Sequence, residues 1–542
     1  MIGETGMQRA AATDGTTGGG ALPRRRLSPA AGVVLVALVP VALRLLLLPV
    51  LPVPSPGIHD EFGYLLAADT FAHGRLANPA SPFGEFFESF HVLIHPVYAS
   101  MYAPGQGLVL ALGQVATGLP WAGVLLAVAA MCGAVTWLFQ AFLPPRWSLA
   151  GGLAFSLLYG VEHYFANSYW GGALPAAAGA LLLGAIARIV RGRPGPPRRV
   201  RWSLLAGLGA SGLMLTRPWE GFCAGLPAAV MLVVWLFREK GGTLRARLAG
   251  GVLPAASVLL AALGWLLYYD LRVTGDPFTP PYLLNLRRYY VAPLFVWQDE
   301  RPAPDYPNET MRRFYTGWRE SERSLRQVDT KSPLVSLAIW LRDFKIVSGA
   351  VAAGALLLIL RRRAALPLFF AGTFLALVSL QTVRLFHYLA PALGGLALLV
   401  LMGLRALGGT RARGGRIGRR LGRRLPAVVL AAAAIGLVRN AALTLHEMAT
   451  VPRVGFRERR ADVAAALAAM PGRQLVFVRY GPDHDVHAEW VYNGADLEGS
   501  KVLFAHDLSP EKNTRLLGHD PTRTAWLLLP DEGNALVPYP RR

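Results

Sequence analysis

The chain has 542 residues, of which 53% are hydrophobic and 16% are charged. A soluble protein would carry about 25% charged residues, so the composition excludes an ordinary soluble enzyme. The formal net charge of +22 would suggest nucleic-acid binding in a soluble protein. The arginines instead cluster in short segments between apolar runs, as the positive-inside rule expects, and no nucleic-acid partner is predicted.

The apolar runs predict an all-α polytopic membrane protein with about eleven transmembrane helices. Residues 1–30 are rich in Gly, Thr and Ala and are predicted to be a disordered cytoplasmic N-terminus, with Arg24–Arg26 holding the start of the first span inside. The predicted spans are 31–53, 121–143, 149–164, 171–190, 202–216, 221–237, 251–269, a run ending before Arg361, 364–381, 388–404 and 426–443. The transmembrane domain is therefore 31–446, in a bacterial inner membrane, with a first outer loop at 54–120 and a long outer loop at 270–343.

Charge parity singles out the segment Gly105–Leu119. Counting back from the cytoplasmic arginines that begin at Arg191, both ends of this segment lie outside the membrane. A run of about 15 residues is also short for a span, so an interfacial or re-entrant helix is predicted. An additional crossing is the alternative, and it would place Thr117 on the cytoplasmic side.

The last segment, residues 451–542, is predicted to be a small extracytoplasmic α/β domain. Its apolar runs at 474–480 and 524–530 are typical of short strands, and 461–470 is typical of a helix. A cluster of Asp and His residues at 483–487, with Glu489, could bind a divalent cation. Short Asp/His runs are also common in solvated loops, and that interpretation stays beside it.

An acidic pair, Asp60 and Glu61, follows the first span within the sequence Ile58-His-Asp-Glu-Phe62. A low dielectric near the membrane would raise the pKa of such carboxylates, which suits a general base. The alternative is structural, because Asp60 could cap a helix formed by residues 62–73.

Farther along the same loop, Met101-Tyr-Ala-Pro-Gly105 leads into the predicted interfacial helix. This order of features over residues 33–169 resembles the GT-C glycosyltransferases, in the branch of protein O-mannosyltransferases and lipid A aminoarabinose transferases. The resemblance implies Asp60 as the catalytic base and Glu61 as a supporting carboxylate. It also implies a sugar donor on a polyprenyl phosphate, membrane lipid around the site, and a lipid, glycan or protein acceptor.

The departing polyprenyl phosphate is an anion, so a cationic group should stabilise it. Arg217, Arg384 and His387 are candidates, as is the pair Arg287-Arg288, although arginines also snorkel at helix ends. His387-Tyr-Leu-Ala-Pro391 resembles an Arg-Tyr-x-x-Pro element of these transferases, with His replacing Arg. The substrate-binding candidates are Tyr102, Glu162, Asn167, Arg217, Arg384, His387 and Tyr388.

No metal site is predicted, because the spacings of His73, His91 and His95 fit no standard ligand set and no clear Asp-x-Asp motif appears. A divalent cation is the only cofactor left open. The predicted function is a hexosyl- or pentosyltransferase of the cell envelope. The alternatives are a transporter or lipid-linked sugar flippase, whose usual internal repeats we do not find, and a membrane anchoring protein.

Overall fold

The computed structural model describes residues 27–192, 195–325, 332–360, 364–411, 416–450 and 455–540. The helices within these ranges are α1 (Pro29–Leu46), α2 (His59–Ala72), α3 (Pro104–Thr117), α4 (Pro120–Gln140), α5 (Pro145–Tyr159), α6 (Tyr164–Asn167), α7 (Ala173–Arg191), α8 (Pro196–Thr216), α9 (Pro218–Arg238), α10 (Leu244–Arg247), α11 (Leu253–Thr274), α12 (Pro281–Tyr289), α13 (Glu309–Leu325), α14 (Pro333–Asp343), α15 (Lys345–Ile359), α16 (Ala365–Val378), α17 (Ala390–Arg411), α18 (Arg416–Thr450), α19 (Phe456–Ala469) and α20 (Pro510–His519). The strands are β1 (Val92–Leu93), β2 (Ala99–Ser100), β3 (Gln474–Val478), β4 (Val502–His506), β5 (Thr524–Leu529) and β6 (Ala535–Pro538). Short 3₁₀ turns lie at Gly84–Phe86 and Phe386–Leu389, and a π-helical turn, Leu248–Val252, joins α10 to α11.

Each of the eleven predicted spans coincides with a helix, namely α1, α4, α5, α7, α8, α9, α11, α15, α16, α17 and α18. By length and composition, seven helical segments of the described chain are long and apolar enough to cross a membrane. The helices α15 and α16 are shorter but equally apolar. The predicted fold class, a polytopic helical membrane protein with a small C-terminal α/β region, is confirmed.

Helix α3 is the segment that parity predicted to be interfacial. Pro104 opens the helix, where its missing N–H costs nothing, and Gly118 ends it with φ of 77°. Its 14 residues extend about 21 Å, short of the roughly 30 Å of a bilayer core. One face packs on α2 and α4, while Leu112 and Val115 on the other face are more than half exposed. This apolar outer face suits a helix that lies along the membrane surface.

Small residues let the central helices approach closely. Gly179 of α7 lies so near α17 that a Cβ added to it would be 1.9 Å from the carbonyl oxygen of Pro391. Helix α7 also packs against α4, α8 and α9. It therefore occupies the middle of the helical bundle, and its close crossing with α17 depends on the absence of a side chain at Gly179.

The C-terminal residues form a four-stranded sheet in the order β4-β3-β5-β6, with β6 antiparallel to β5 and the other pairs parallel. Strand β3 is buried along its whole length, which explains its continuous apolar sequence. Val476 and Val478 pack toward α19, whereas Leu475 and Phe477 pack on the first outer loop. The strands predicted at 474–480 and 524–530 correspond to β3 and β5. The prediction missed β4, β6 and α20.

We expect Gly179→Ala to destabilise the protein, because the new methyl group meets a backbone oxygen that cannot turn away. Overpacking of this kind costs about 1–3 kcal/mol in the free energy of unfolding. Thermal unfolding of the purified protein in detergent measures the effect. The matched control is Gly225→Ala in α9, where an added Cβ has no neighbour within 4 Å. An equal fall in both variants would contradict the close helix crossing.

Candidate active site

The start of helix α2 is held by Glu61. Its Oε2 accepts hydrogen bonds from the backbone N–H groups of Gly57 at 2.8 Å and Ile58 at 3.1 Å. Its Oε1 accepts from the N–H of Tyr169 at 2.9 Å, and a guanidinium nitrogen of Arg457 lies 3.4 Å from Oε2. Glu61 is fully buried. Glu61 therefore caps the helix, which is the role that the structural alternative assigned to Asp60. The carboxylate of Glu61, predicted to support catalysis, is surrounded by donors from the protein itself.

Asp60 is free of that capping role and turns toward the other side of the loop. Its Oδ1 accepts a hydrogen bond from the hydroxyl of Tyr102, and its Oδ2 lies 2.9 Å from Nδ1 of His59. Burial by itself raises the pKa of Asp60, but His59 and the Tyr102 hydrogen bond together lower it below its ordinary value. The raised pKa expected from the sequence is thus reversed by these neighbours. Asp60 is ionised at neutral pH and stays partly accessible, with 17% of its side chain exposed.

Three histidines form a chain beside Asp60. His59 lies in the middle, with its Nδ1 2.8 Å from Nε2 of His91 and its Nε2 3.5 Å from Nδ1 of His487. His59 and His91 are buried, and burial lowers the pKa of His91 to about 3. His91 is therefore neutral at physiological pH, and His487 reaches the chain from the C-terminal region.

The same residues provide the one group of three potential ligand atoms found in the described ranges, with His59, Asp60 and His91 all within 4.8 Å of one another. Two imidazole nitrogens bound to one tetrahedral zinc ion at 2.0–2.1 Å would lie about 3.3 Å apart. The 2.8 Å separation between His59 and His91 is instead that of a hydrogen bond. As placed, His59 and His91 are hydrogen-bonded to each other and lie closer together than two ligands of one tetrahedral zinc ion.

A buried cation, Arg217, lies between α8 and α9. One guanidinium nitrogen is 3.3 Å from the carbonyl oxygen of Gly171, and another is 4.0 Å from Glu220. The guanidinium carbon lies 5.4 Å from the ring centre of Tyr388. The end of α8 also touches the start of α3, since a Cβ at Gly105 would be 2.7 Å from the carbonyl oxygen of Leu215. Arg217 therefore lies next to the helix that follows Tyr102.

Tyrosines connect Arg217 with Asp60. Tyr64, Tyr282 and Tyr388 each interact electrostatically with both of these charged residues, and the ring of Tyr64 stacks on that of Tyr102 at 4.2 Å. Burial raises the pKa of Tyr64 to about 12. The phenol therefore keeps its proton, and this tyrosine cluster offers hydroxyl donors between a carboxylate and a guanidinium.

Other predicted site residues differ in their surroundings. His387 is buried, with its ring 4.6 Å from that of Trp170, and Tyr388 lies beside Arg217, so both belong to this region. Arg384 is half-buried in the segment between α16 and the 3₁₀ turn that holds His387. The pair Arg287-Arg288 was also a candidate for binding the phosphate. Arg288 forms an ion pair of 3.0 Å with Glu88, and Arg287 is exposed.

Asn167 and Glu162 lie in the second outer loop. The Oδ1 of Asn167 accepts a hydrogen bond of 2.7 Å from Arg44, and its Nδ2 donates to the carbonyl oxygens of Val161 and His163. Arg44 is fully buried in the last turn of α1, so Asn167 satisfies a charge within the protein. Burial raises the pKa of Glu162, and among the described residues its Oε2 has no hydrogen-bond partner.

Sequence reasoning missed the contributions of His59, His487, Tyr64 and Tyr282. The position of His59 directly before Asp60 in the sequence was the one signal that could have identified it. His487 belonged to the Asp/His cluster of the C-terminal loop, which the structure divides. His484 binds Asp531 at 2.8 Å, Glu489 accepts from Tyr480, and His487 turns to His59.

Acidification is expected to destabilise the protein through His91. Its pKa is about 3 in the folded state against about 6.5 ordinarily, so below pH 6.5 the unfolded chain binds the proton first. The stability present above pH 6.5 is therefore lost as the pH falls, by about 2 kcal/mol between pH 7 and pH 5 for this one group. The difference in unfolding midpoint between these two pH values measures it.

The matched variants are His91→Gln and His73→Gln. His73 is an exposed histidine of the same loop, so its replacement should leave the pH dependence unchanged, whereas His91→Gln should reduce it. Equal pH dependence in wild type and His91→Gln would contradict the assignment.

Comparisons with known proteins concern the fold. No family model matches the sequence, and no curated protein sequence matches it. The crystal structure of ArnT from Cupriavidus metallidurans in the apo state superposes with a TM-score of 0.54 at 16% identity, covering 93% of this chain and 92% of that chain. The same protein bound to undecaprenyl phosphate gives a TM-score of 0.50 at 15% identity, covering 92% of each chain. The resemblance predicted from the acidic pair and the interfacial helix is confirmed, and the chain has the fold of the GT-C membrane glycosyltransferases.

Proposed function

We propose that this protein is an integral-membrane glycosyltransferase. It transfers a sugar, a hexose or a pentose, from a polyprenyl-phosphate donor to a cell-envelope acceptor on the outer face of the membrane, with Asp60 as the general base. The observation that carries the proposal is that one cluster of tyrosines interacts with both an ionised carboxylate, Asp60, and a largely buried guanidinium, Arg217.

The carboxylate supports the first half of the reaction. An acceptor hydroxyl attacks the anomeric carbon of the sugar while its proton moves to Asp60, and the bond between that carbon and the phosphate oxygen breaks. Tyr102 occupies Oδ1 of Asp60 and His59 lies against Oδ2, so the orientation of the carboxylate is fixed before the acceptor arrives. Fixed orientation of this kind lowers the cost of reaching the transition state.

The guanidinium of Arg217 supports the second half of the reaction, the departure of the polyprenyl phosphate. The leaving polyprenyl phosphate gains negative charge as the bond breaks, and a buried cation stabilises that charge more strongly than an exposed one. Arg217 has 14% of its side chain exposed. In this proposal the phenols of Tyr64, Tyr282 and Tyr388 donate hydrogen bonds to phosphate oxygens. We propose that Arg384 and His387 border the same phosphate subsite.

The proposed donor class is supported by the solved structure of ArnT, which has the same fold and was determined with undecaprenyl phosphate bound. That lipid is a polyprenyl phosphate, and the apolar outer face of α3 would lie beside such a chain at the membrane surface. Glu61 and Asn167 support the proposed site by holding α2 and the second outer loop. We assign Glu162, with its unpartnered oxygen within the described chain, to the acceptor side.

Asp60→Asn should abolish sugar transfer, because an amide cannot take the acceptor proton. Removal of a general base costs about a hundredfold to ten-thousandfold in rate. A deletion strain complemented with the variant, and mass spectrometry of its envelope glycans, measure the loss. Asp305→Asn, which changes an exposed carboxylate of the long outer loop, is the control. Full glycan modification by Asp60→Asn would exclude the proposed base and leave a transporter or flippase as the better description.

Arg217→Gln should weaken binding of undecaprenyl phosphate to the purified protein. Loss of a charge-assisted contact of about 1.5–3 kcal/mol corresponds to a dissociation constant raised about tenfold to a hundredfold. Arg287→Gln removes an exposed outer-loop arginine and should leave the affinity unchanged. An unchanged affinity in Arg217→Gln, or an equal loss in both variants, would contradict the phosphate role of Arg217.

A further inference from the structure

The C-terminal region contributes a side chain to the proposed site. His487 lies in the loop between β3 and β4, and its Nδ1 is 3.5 Å from Nε2 of His59. The two rings are tilted by 30° with centroids 5.6 Å apart. His59 is buried, whereas His487 is exposed. The row Asp60, His59, His487 therefore runs from the partly buried carboxylate to solvent.

The position of His487 is fixed from two sides. On one side the ring lies against Phe314 of α13, with ring centroids 5.9 Å apart, and Arg313 donates a 2.9 Å hydrogen bond to the carbonyl oxygen of Pro482 in the same loop. Within its own loop, the backbone N–H of His487 donates a hydrogen bond of 3.0 Å to Asp485. The loop is thus held where its histidine meets His59.

The C-terminal region is itself bound firmly to the first outer loop. The backbone N–H of Ala495 donates to Asp69 at 2.7 Å, and the hydroxyl of Tyr98 donates to the carbonyl oxygen of Asn493 at 3.1 Å. The ring of Tyr492 stacks on Phe62 at 4.3 Å. These contacts make the distance between His59 and His487 a property of the fold and not of one mobile loop.

A base in this position needs an outlet for the proton that it receives. The neighbours that keep Asp60 ionised also make it a weak base, so it cannot retain the acceptor proton through repeated turnovers. We propose that His59 and His487 form a proton relay that carries this proton from Asp60 to the outer solvent. This inference rests on the proposed role of Asp60, and it adds His487 as a residue that acts through His59.

The relay moves one proton and changes no oxidation state. The Nε2–H of His91 first releases Nδ1 of His59, which lies within reach of both neighbours. The protonated carboxyl of Asp60 then gives its proton to that nitrogen, and His59 becomes an imidazolium ion. His59 then releases the proton on Nε2 to Nδ1 of His487, and His487 releases the proton on its own Nε2 to water. One proton enters at Asp60 and one leaves at His487, so the carboxylate is restored for the next acceptor.

The groups that face His487 are compatible with this transfer. They are His59 and Asp60 from α2, Asp485 from its own loop, and Arg313 from α13, while His91 faces the opposite edge of His59. Burial and then His59 lower the pKa of His487, and the two carboxylates oppose them. In its Nε2–H tautomer, a neutral His487 has an Nδ1 lone pair with which to accept the proton.

The test uses right-side-out membrane vesicles from the complemented deletion strain, which contain the native donor and acceptor. We expect His487→Ala to lower the rate of glycan modification by at least about tenfold, the lower range for a proton-transfer group. Imidazole added to the medium should restore much of that rate, because it can fill the exposed space and carry the proton. His487→Gln keeps the volume and a polar group but carries no proton, so it should be slow and should not respond to imidazole.

His519→Ala, which removes another exposed histidine of the same region, is the matched control and should keep the wild-type rate. A wild-type rate in His487→Ala, or a loss that imidazole does not restore while His487→Gln is fully active, would overturn the relay. Asp60→Asn is measured in parallel. If it is inactive while His487→Ala is unaffected, only the relay is wrong, whereas an active Asp60→Asn would remove the proposed function itself.

Discussion

A buried carboxylate is stable in a protein only when donors replace the water that it loses, and Glu61 obtains its donors from three separate parts of the chain. These are the residues that follow α1, the loop after α6 and the start of α19. The neighbouring Asp60 is then directed to the opposite side. The geometry of the site therefore depends on a residue that does no chemistry, and removal of its charge would loosen all three segments together.

The distribution of charge follows a simple rule. Arg44 and Glu61 are fully buried, and their charges are matched by protein atoms, so they fix the architecture. Asp60 and Arg217 are less completely enclosed, with 17% and 14% of their side chains exposed. Tyr64, which interacts with both residues, is buried, and burial favours the protonated phenol. A low dielectric with fixed donors strengthens electrostatic interactions, which is what the proposed transfer requires.

Much of this fold was accessible from the sequence, because membrane spans depend on long apolar runs and on the side of the arginines. The short helix α3 was predicted from charge parity, whereas the role of Asp60 came from the family resemblance and stays a proposal. The roles of Glu61 and Asn167 were not accessible, because their partners lie 108 and 123 positions away. Strand β4 was missed because its apolar run, 502–505, is only four residues long. His487 could be noticed only as part of a polar loop, since nothing local indicates that it meets His59.

The continuous burial of β3 has a consequence for how the protein is made. One face of the sheet is covered by the first outer loop, through Phe62, Leu66 and their neighbours. The other face is covered by α19. The loop is synthesised early, and the residue that meets His59 follows 428 positions later. A chain that stops short of the sheet would have its helices in place but its loop uncovered. The first outer loop and the C-terminal sheet therefore complete one apolar core from residues far apart in the sequence, and neither surface is covered until both have been made.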